Sequence, residues 1–314
     1  GSAQAALLLG RFAAAEVHAP ALRGRAVANV VLGGTAGAVF GPLMVGPVGA
    51  LAEGLGLPEL AGPYLASAVM FALAAAVVLA LLRPEPKELA KELAQELAQA
   101  HPEVSQGPGP GRPLARILRD PGVVTAIAAM VCGQTVMVGL MVITALHMSH
   151  HHHPLTSISA VIASHTFGMY AFALVSGRLT DLWGRGPVIM SGALLLGLAS
   201  GMATLSPQVL PLAVALFGLG LGWNLLFVGG SALLSDRLAP AERGRVQGVG
   251  DVLIGLASAL ASLGSGAVLA FAGYEVLGLV GAVLALLPLG LSLWWLWARP
   301  AQERPKKRPE RLAD

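Results

Sequence analysis

The cationic side chains of this chain fall in clusters between long apolar runs, and every second gap between runs has none. Arginine and lysine occupy Arg11 to Arg25, Arg83 to Arg119, Arg178 to Arg185, Arg237 to Arg245 and Arg299 to Arg311. The gaps around Glu53 and Glu59, His147 to Thr156, Ser206 to Gln208 and Gly273 to Glu275 hold no lysine or arginine. Loops kept on the cytoplasmic side of a membrane carry an excess of these residues. The alternation therefore dictates both how often the chain crosses a bilayer and which way each crossing runs.

Composition agrees: 55% of the residues are hydrophobic, 12% are charged, and mean hydropathy is +0.72. A helix needs about 20 apolar residues to span the hydrocarbon. Nine runs qualify, at 1–16, 27–52, 61–82, 122–148, 156–177, 186–206, 208–236, 247–272 and 274–298. The expected class is an all-α membrane protein. Glycines inside these runs cost about 1 kcal/mol each in a water-exposed helix, whereas in lipid they let helices approach closely. The net charge of +3 belongs to one side of the membrane and points to anionic lipid, not nucleic acid. A single cysteine, Cys132, excludes a disulfide framework within the chain and reads as a packing residue. No nucleophile and base constellation or phosphate loop is present, so neither an enzyme nor a cofactor is expected.

Residues 19–25 read Ala-Pro-Ala-Leu-Arg-Gly-Arg and residues 239–245 read Ala-Pro-Ala-Glu-Arg-Gly-Arg, an offset of 220 with six of seven positions the same. At that offset Glu16 faces Asp236 and Gln4 faces Asn224. Such self-similarity argues for duplicated halves. The helix before residue 20 then corresponds to the fourth of six in the second half, so the first half is expected to lack its first three helices, the intact protein having twelve. The organisation expected is three transmembrane helices of an N-terminal half in 1–84, a cytoplasmic linker in 85–120, a six-helix half in 121–298 and a basic cytoplasmic tail in 299–314. In the linker, Leu89, Leu93 and Leu97 form the apolar stripe of an amphipathic helix, which Gly107-Pro108-Gly109-Pro110-Gly111 ends.

The turn Gly177-Arg178-Leu179-Thr180-Asp181-Leu182-Trp183-Gly184-Arg185 resembles the signature loop of the major facilitator superfamily, G-x-L-x-D-x-x-G-R. The stretch Gly37-Ala38-Val39-Phe40-Gly41-Pro42-Leu43-Met44-Val45-Gly46 resembles the G-x-x-x-G-P-x-x-G-G pattern of that superfamily's proton-coupled antiporters, with Val45 in place of a glycine. Gly37, Gly41 and Pro42 would give a thin, kinked helix suited to close packing. Segments near Thr144 to Met169, and Gln247 to Asp251 ahead of Ser265-Gly266, look like a bacterial branch of poorly assigned transporters, some resembling riboflavin carriers. The resemblance implies a helical bundle of that superfamily, with the fourth to twelfth helices in this chain. It also implies a monomeric secondary transporter of the bacterial inner membrane.

Polar groups within the apolar runs are costly, so each requires a reason. Asp251 and Gln247 lie one turn apart on one face, a pairing that can present a carboxylate and an amide to a substrate cavity. Desolvation would favour the protonated carboxyl, fitting Asp251 to carry protons; a salt bridge at the helix entry is the other reading. His165 suits either proton coupling or a structural hydrogen bond. Gln134, Asn224 and Trp223, with Met169, suit a substrate cavity, and helix-to-helix bonding suits the polar three equally well. Gly177, Asp181, Gly184 and Arg185, together with Glu16, Arg23, Asp236 and Arg243, form a candidate cytoplasmic gate made of individually weak ion pairs. His147 and His150 to His153 read as a solvated, pH-sensitive external loop or a transition-metal trap, and no metal site is assigned. The expected function is proton-coupled export of a small organic solute, with uptake of a vitamin-like solute, or an inactive fragment, as alternatives.

Overall fold

The computed structural model describes residues 23–83, 88–89 and 111–298. Among them every regular element is helical: α1 (Arg23–Gly54), α2 (Ala61–Leu81), α3 (Leu114–Ile117), α4 (Pro121–His150), α5 (Leu155–Tyr170), α6 (Ala173–Leu182), α7 (Arg185–Met202), α8 (Val209–Arg237) and α9 (Pro240–Ala298). The span expected at 1–16, the amphipathic linker helix beyond residues 88–89 and the tail from 299 lie outside the described residues.

Seven helical segments of the described residues are long and apolar enough to cross a membrane, with mean hydropathies between 1.2 and 2.4. The last, Glu242–Trp297, has 56 residues, over twice what one crossing requires. Gly273 divides it: φ 85° and ψ 174° lie where a side chain is disfavoured and glycine is not. Its two arms correspond to the runs expected at 247–272 and 274–298. The first arm nevertheless begins at Pro240, earlier than the apolar run, because a proline fits the first helical position and Glu242 accepts from the Ala239 amide.

The run expected at 156–177 is not one regular helix. Phe172 leaves helical geometry at φ −98°, ψ 7°, so α5 and α6 together make a single crossing, Leu155–Leu182, with an internal discontinuity. Apolar periodicity carries no mark of it, since Ala171 and Phe172 suit a helix as well as a turn.

The chain divides into two compact units, residues 1–111, 144–171 and 206–220 in one, and 112–143, 172–205 and 221–314 in the other. In the first, α1 packs on α2 and more extensively on α5. A Cβ placed on Gly46 would lie 2.6 Å from Thr156 Cγ2, and one on Gly62 would fall onto the carbonyl of Val48. On Gly37 or Gly41 it would reach open space among the described residues. Apart from Gly62, no α2 residue is buried among the described residues, and its most apolar stretch has a mean hydropathy of 2.4, as suits contact with hydrocarbon. In the second unit α7 packs chiefly on α9, and Ile189, Leu196, Leu226 and Leu233 are fully buried.

Candidate functional site

Two helical faces in the second unit carry polar groups on an otherwise apolar wall. The α8 residues Phe227, Ser231, Leu234 and Ser235, with Leu238 just past the end of that helix, line a pocket with the α9 residues Arg243, Gln247, Gly250, Asp251 and Ile254, and Met130 of α4 completes it. Both sets follow the pattern i, i+4, i+7, i+8, i+11, the spacing of one helical face. Ser231 donates to Met130 Sδ at 3.4 Å, and Arg243 Nη2 donates to the Ser235 carbonyl at 3.5 Å. Asp251 is engaged in an interaction of its own. At 1.5 Å per residue, Arg243 and Asp251 stand roughly 12 Å apart along α9. The pocket thus offers a cation at one end, a carboxylate at the other and neutral hydrogen-bonding groups between them.

Of the residues expected to line a cavity, only Gln247 lies here, beside Asp251 and the gate candidate Arg243. Gln134 and Trp223 instead join three helices. The indole Nε1 of Trp223 donates to Gln134 Oε1 at 2.8 Å, and Gln134 Nε2 donates to Ser258 Oγ at 3.0 Å. Trp223 also stacks on Phe227, with centroids 5.0 Å apart. Asn224 is buried, and its Oδ1 accepts from Ser176 Oγ. These amides therefore serve helix-to-helix bonding in this structure. Gln134→Leu is expected to destabilise the protein by about 1 kcal/mol, the usual scale of such bonds in membranes, because it leaves the Trp223 N–H without its acceptor. A thermal melt in detergent measures it.

His165 and Met169 belong to the first unit. Nδ1 of His165 lies 2.9 Å from the Leu216 carbonyl, which can only accept, so Nδ1 carries the hydrogen. Its Nε2 is buried without a hydrogen-bond partner among the described residues. The backbone can come this close because residue 220 is glycine: a Cβ there would fall onto the His165 carbonyl and within 3.2 Å of Met169 Cγ.

The signature turn is held by Arg185. Its Nε donates to Asp236 Oδ2 at 2.8 Å, and its Nη1 donates to the Thr180 carbonyl at 2.8 Å and to Asp181 Oδ1 at 3.2 Å. Gly184, at φ 89°, lets the chain pass from α6 to α7 so that Arg185 can reach all three. A Cβ on Gly177 would meet nothing within 4 Å. Glu16 lies outside the described residues, as does the side chain of Arg23.

Sequence reasoning missed the strongest charge cluster. Glu242 is 1% exposed and accepts from Arg112 backbone N (2.7 Å), Nε (2.9 Å) and Nη2 (2.9 Å), and from Ala239 N (3.0 Å). Arg112 Nη2 also donates to the Arg237 carbonyl at 2.8 Å, and Arg245 Nη2 donates to the Arg112 carbonyl at 2.6 Å. Hydrogen bonding to Glu242, supported by its charge, raises the Arg112 guanidinium above its ordinary value, so Arg112 remains cationic at any physiological pH. A signal for this existed: position 242 is where the two repeat copies differ, glutamate against Leu22.

In the histidine loop, His153 Nε2 lies 2.8 Å from the Pro207 carbonyl, and the His147 and His151 rings meet edge to face at 4.7 Å. No group of three or more metal-ligating side chains comes together among the described residues.

Comparison with known proteins gives consistent matches. The sequence pattern of the Major Facilitator Superfamily matches residues 133–313. The uncharacterized MFS-type transporter YdeG of Bacillus subtilis is 34% identical over 299 residues, 94% of this chain and 68% of that protein. The uncharacterized MFS-type transporter YddS of the same organism is 34% identical over 307 residues, 97% of this chain and 69% of that protein. The riboflavin transporter RfnT of Brucella anthropi is 29% identical over 285 residues, 90% of this chain and 67% of that protein.

Proposed function

We propose, from the premise that this chain belongs to the major facilitator superfamily, that it acts in proton-coupled export of a small organic solute by alternating access. The observation that carries this reading is the α8 and α9 pocket, where Asp251 and Gln247 share a face with Arg243 above an apolar floor of Met130 and Phe227. A carboxylate that alternates between charged and neutral forms changes what its pocket attracts, and that difference can couple a proton to a solute. Arg185, Asp236 and Asp181 serve as a gate in this scheme, each exposed ion pair contributing roughly 0 to 1 kcal/mol, weak enough to open in every cycle. The membrane concerned is the bacterial inner membrane, with residues 111–120 and the C-terminus on the cytoplasmic side, as the clustering of arginines supports.

A second reading, uptake of a vitamin-like solute, is favoured by the similarity to a riboflavin transporter. The stacked Trp223 and Phe227 rings offer a flat solute an aromatic surface near the pocket. A thermal-shift screen of riboflavin, cationic and neutral drugs and divalent metals tests both readings. A solute at 100 times its dissociation constant should stabilise the protein by about 2.7 kcal/mol. Riboflavin alone giving the shift would favour uptake. A shift with divalent metals alone would remove both readings.

A further inference from the structure

The geometry points to Arg112 as a latch: a positioning residue that fastens the segment entering α4 to the first turn of α9, and through it holds in place the pocket wall bearing Arg243 and Gln247. The inference concerns how the first turn of α9 is seated and holds whatever solute or ion is carried.

Three elements meet at this one side chain. Arg112 reaches the last residue of α8 through the Arg237 carbonyl and the third residue of α9 through Glu242, while Arg245 of α9 returns a bond to the Arg112 carbonyl. The two charged partners are unequally placed, since the Arg112 side chain is 41% exposed and that of Glu242 only 1%. Water can therefore replace what Arg112 loses, but not what Glu242 loses. With the guanidinium removed, the buried carboxylate would keep only the Arg112 and Ala239 backbone amides. A buried charge so weakly compensated is strongly unfavourable. The cheapest escape is for the first turn of α9 to shift until Glu242 reaches water. Val246, fully buried, lies one turn further along the same face and would be lifted with it. Arg243 and Gln247, the next residues round the helix, line the pocket and must follow, because a helix moves as a rigid piece over so short a distance.

The test uses the full chain in detergent with Cys132→Ser, and a water-soluble maleimide as probe. One background carries Val246→Cys, a fully buried position, the other Gln208→Cys as an exposed reference in the first unit. Arg112→Met should raise the labelling rate at position 246 about tenfold while leaving position 208 within about twofold, as local opening requires. Arg112→Lys keeps the charge but not the fork that serves Glu242 and the Arg237 carbonyl together, and should give about a threefold rise. Adding Glu242→Gln to Arg112→Met removes the stranded charge and should bring the rate back toward the parent, whereas a merely structural contact would be damaged further. An unchanged rate at position 246 in both single variants, an equal rise at both cysteines, or no recovery in the double variant overturns the latch. If Arg112→Met does not fold, Arg112→Lys decides by the same criteria.

Discussion

Asp251→Asn is expected to remove transport driven by a pH gradient, lowering it at least about tenfold, a change of 1.4 kcal/mol or more in the driven step, while solute exchange at equal pH should persist. The substitution keeps the size of the side chain and its capacity for hydrogen bonds, and removes only the ability to gain and lose a proton. Asp251 lies in the pocket with Gln247 and, two turns back, Arg243. Its protonation changes the charge balance of that pocket from neutral to positive, whereas asparagine fixes it in the positive form. Flux in proteoliposomes with and without an imposed pH gradient separates the two components. A variant whose flux keeps the parent's pH dependence would end the assignment of Asp251 and return it to the other reading, a helix-entry ion pair.

The crossings were legible because two physical requirements act together on each one. A span must be apolar for about 20 residues, and its ends must distribute cations by side, so the runs at 61–82, 122–148 and 208–236 match α2, α4 and α8 to within two residues. The turn at Gly273 was legible for the same reason, and the break at Phe172 was not, since it replaces no apolar residue. The face shared by Gln247 and Asp251 could be read from spacing alone. The opposite wall could not: Ser231 and Ser235 cost little in an apolar helix, and nothing local shows that they meet α9. Likewise the 89 positions between Gln134 and Trp223 hide a bond that only packing creates. Glu242 was hidden by its surroundings. In sequence it is one charge within an arginine-rich loop, which describes a solvated turn equally well, and only its mismatch with Leu22 sets it apart.

Glycines show the same limit most sharply, and they supply the largest stability effect expected. Gly37 and Gly41 have the spacing of close-packed helices, as do others, yet spacing cannot tell which glycine meets a neighbour. Gly222 does. A Cβ on it would lie 2.7 Å from Leu196 N and 3.0 Å from the Gly192 carbonyl oxygen, and a Cβ on Gly192 would lie 2.9 Å from Leu226 N and 3.0 Å from the Gly222 carbonyl oxygen. The α7 and α8 backbones thus cross directly, each glycine admitting the other. Every one of these atoms is main chain, so no rotamer change relieves the contact. Gly222→Ala is expected to cost about 3 kcal/mol, the upper end for overpacking, and Gly222→Leu to prevent isolation of folded protein. Gly290→Ala, with nothing within 4 Å, should be neutral or better, because alanine favours a helix by up to about 1 kcal/mol. The decisive variant is the double Gly222→Ala/Leu196→Ala. Trimming the Leu196 side chain opens space beside α8 but moves no backbone atom, so its melting temperature should fall below that of either single variant. Recovery instead would mean that side chains, not the two main chains, set the distance between these helices.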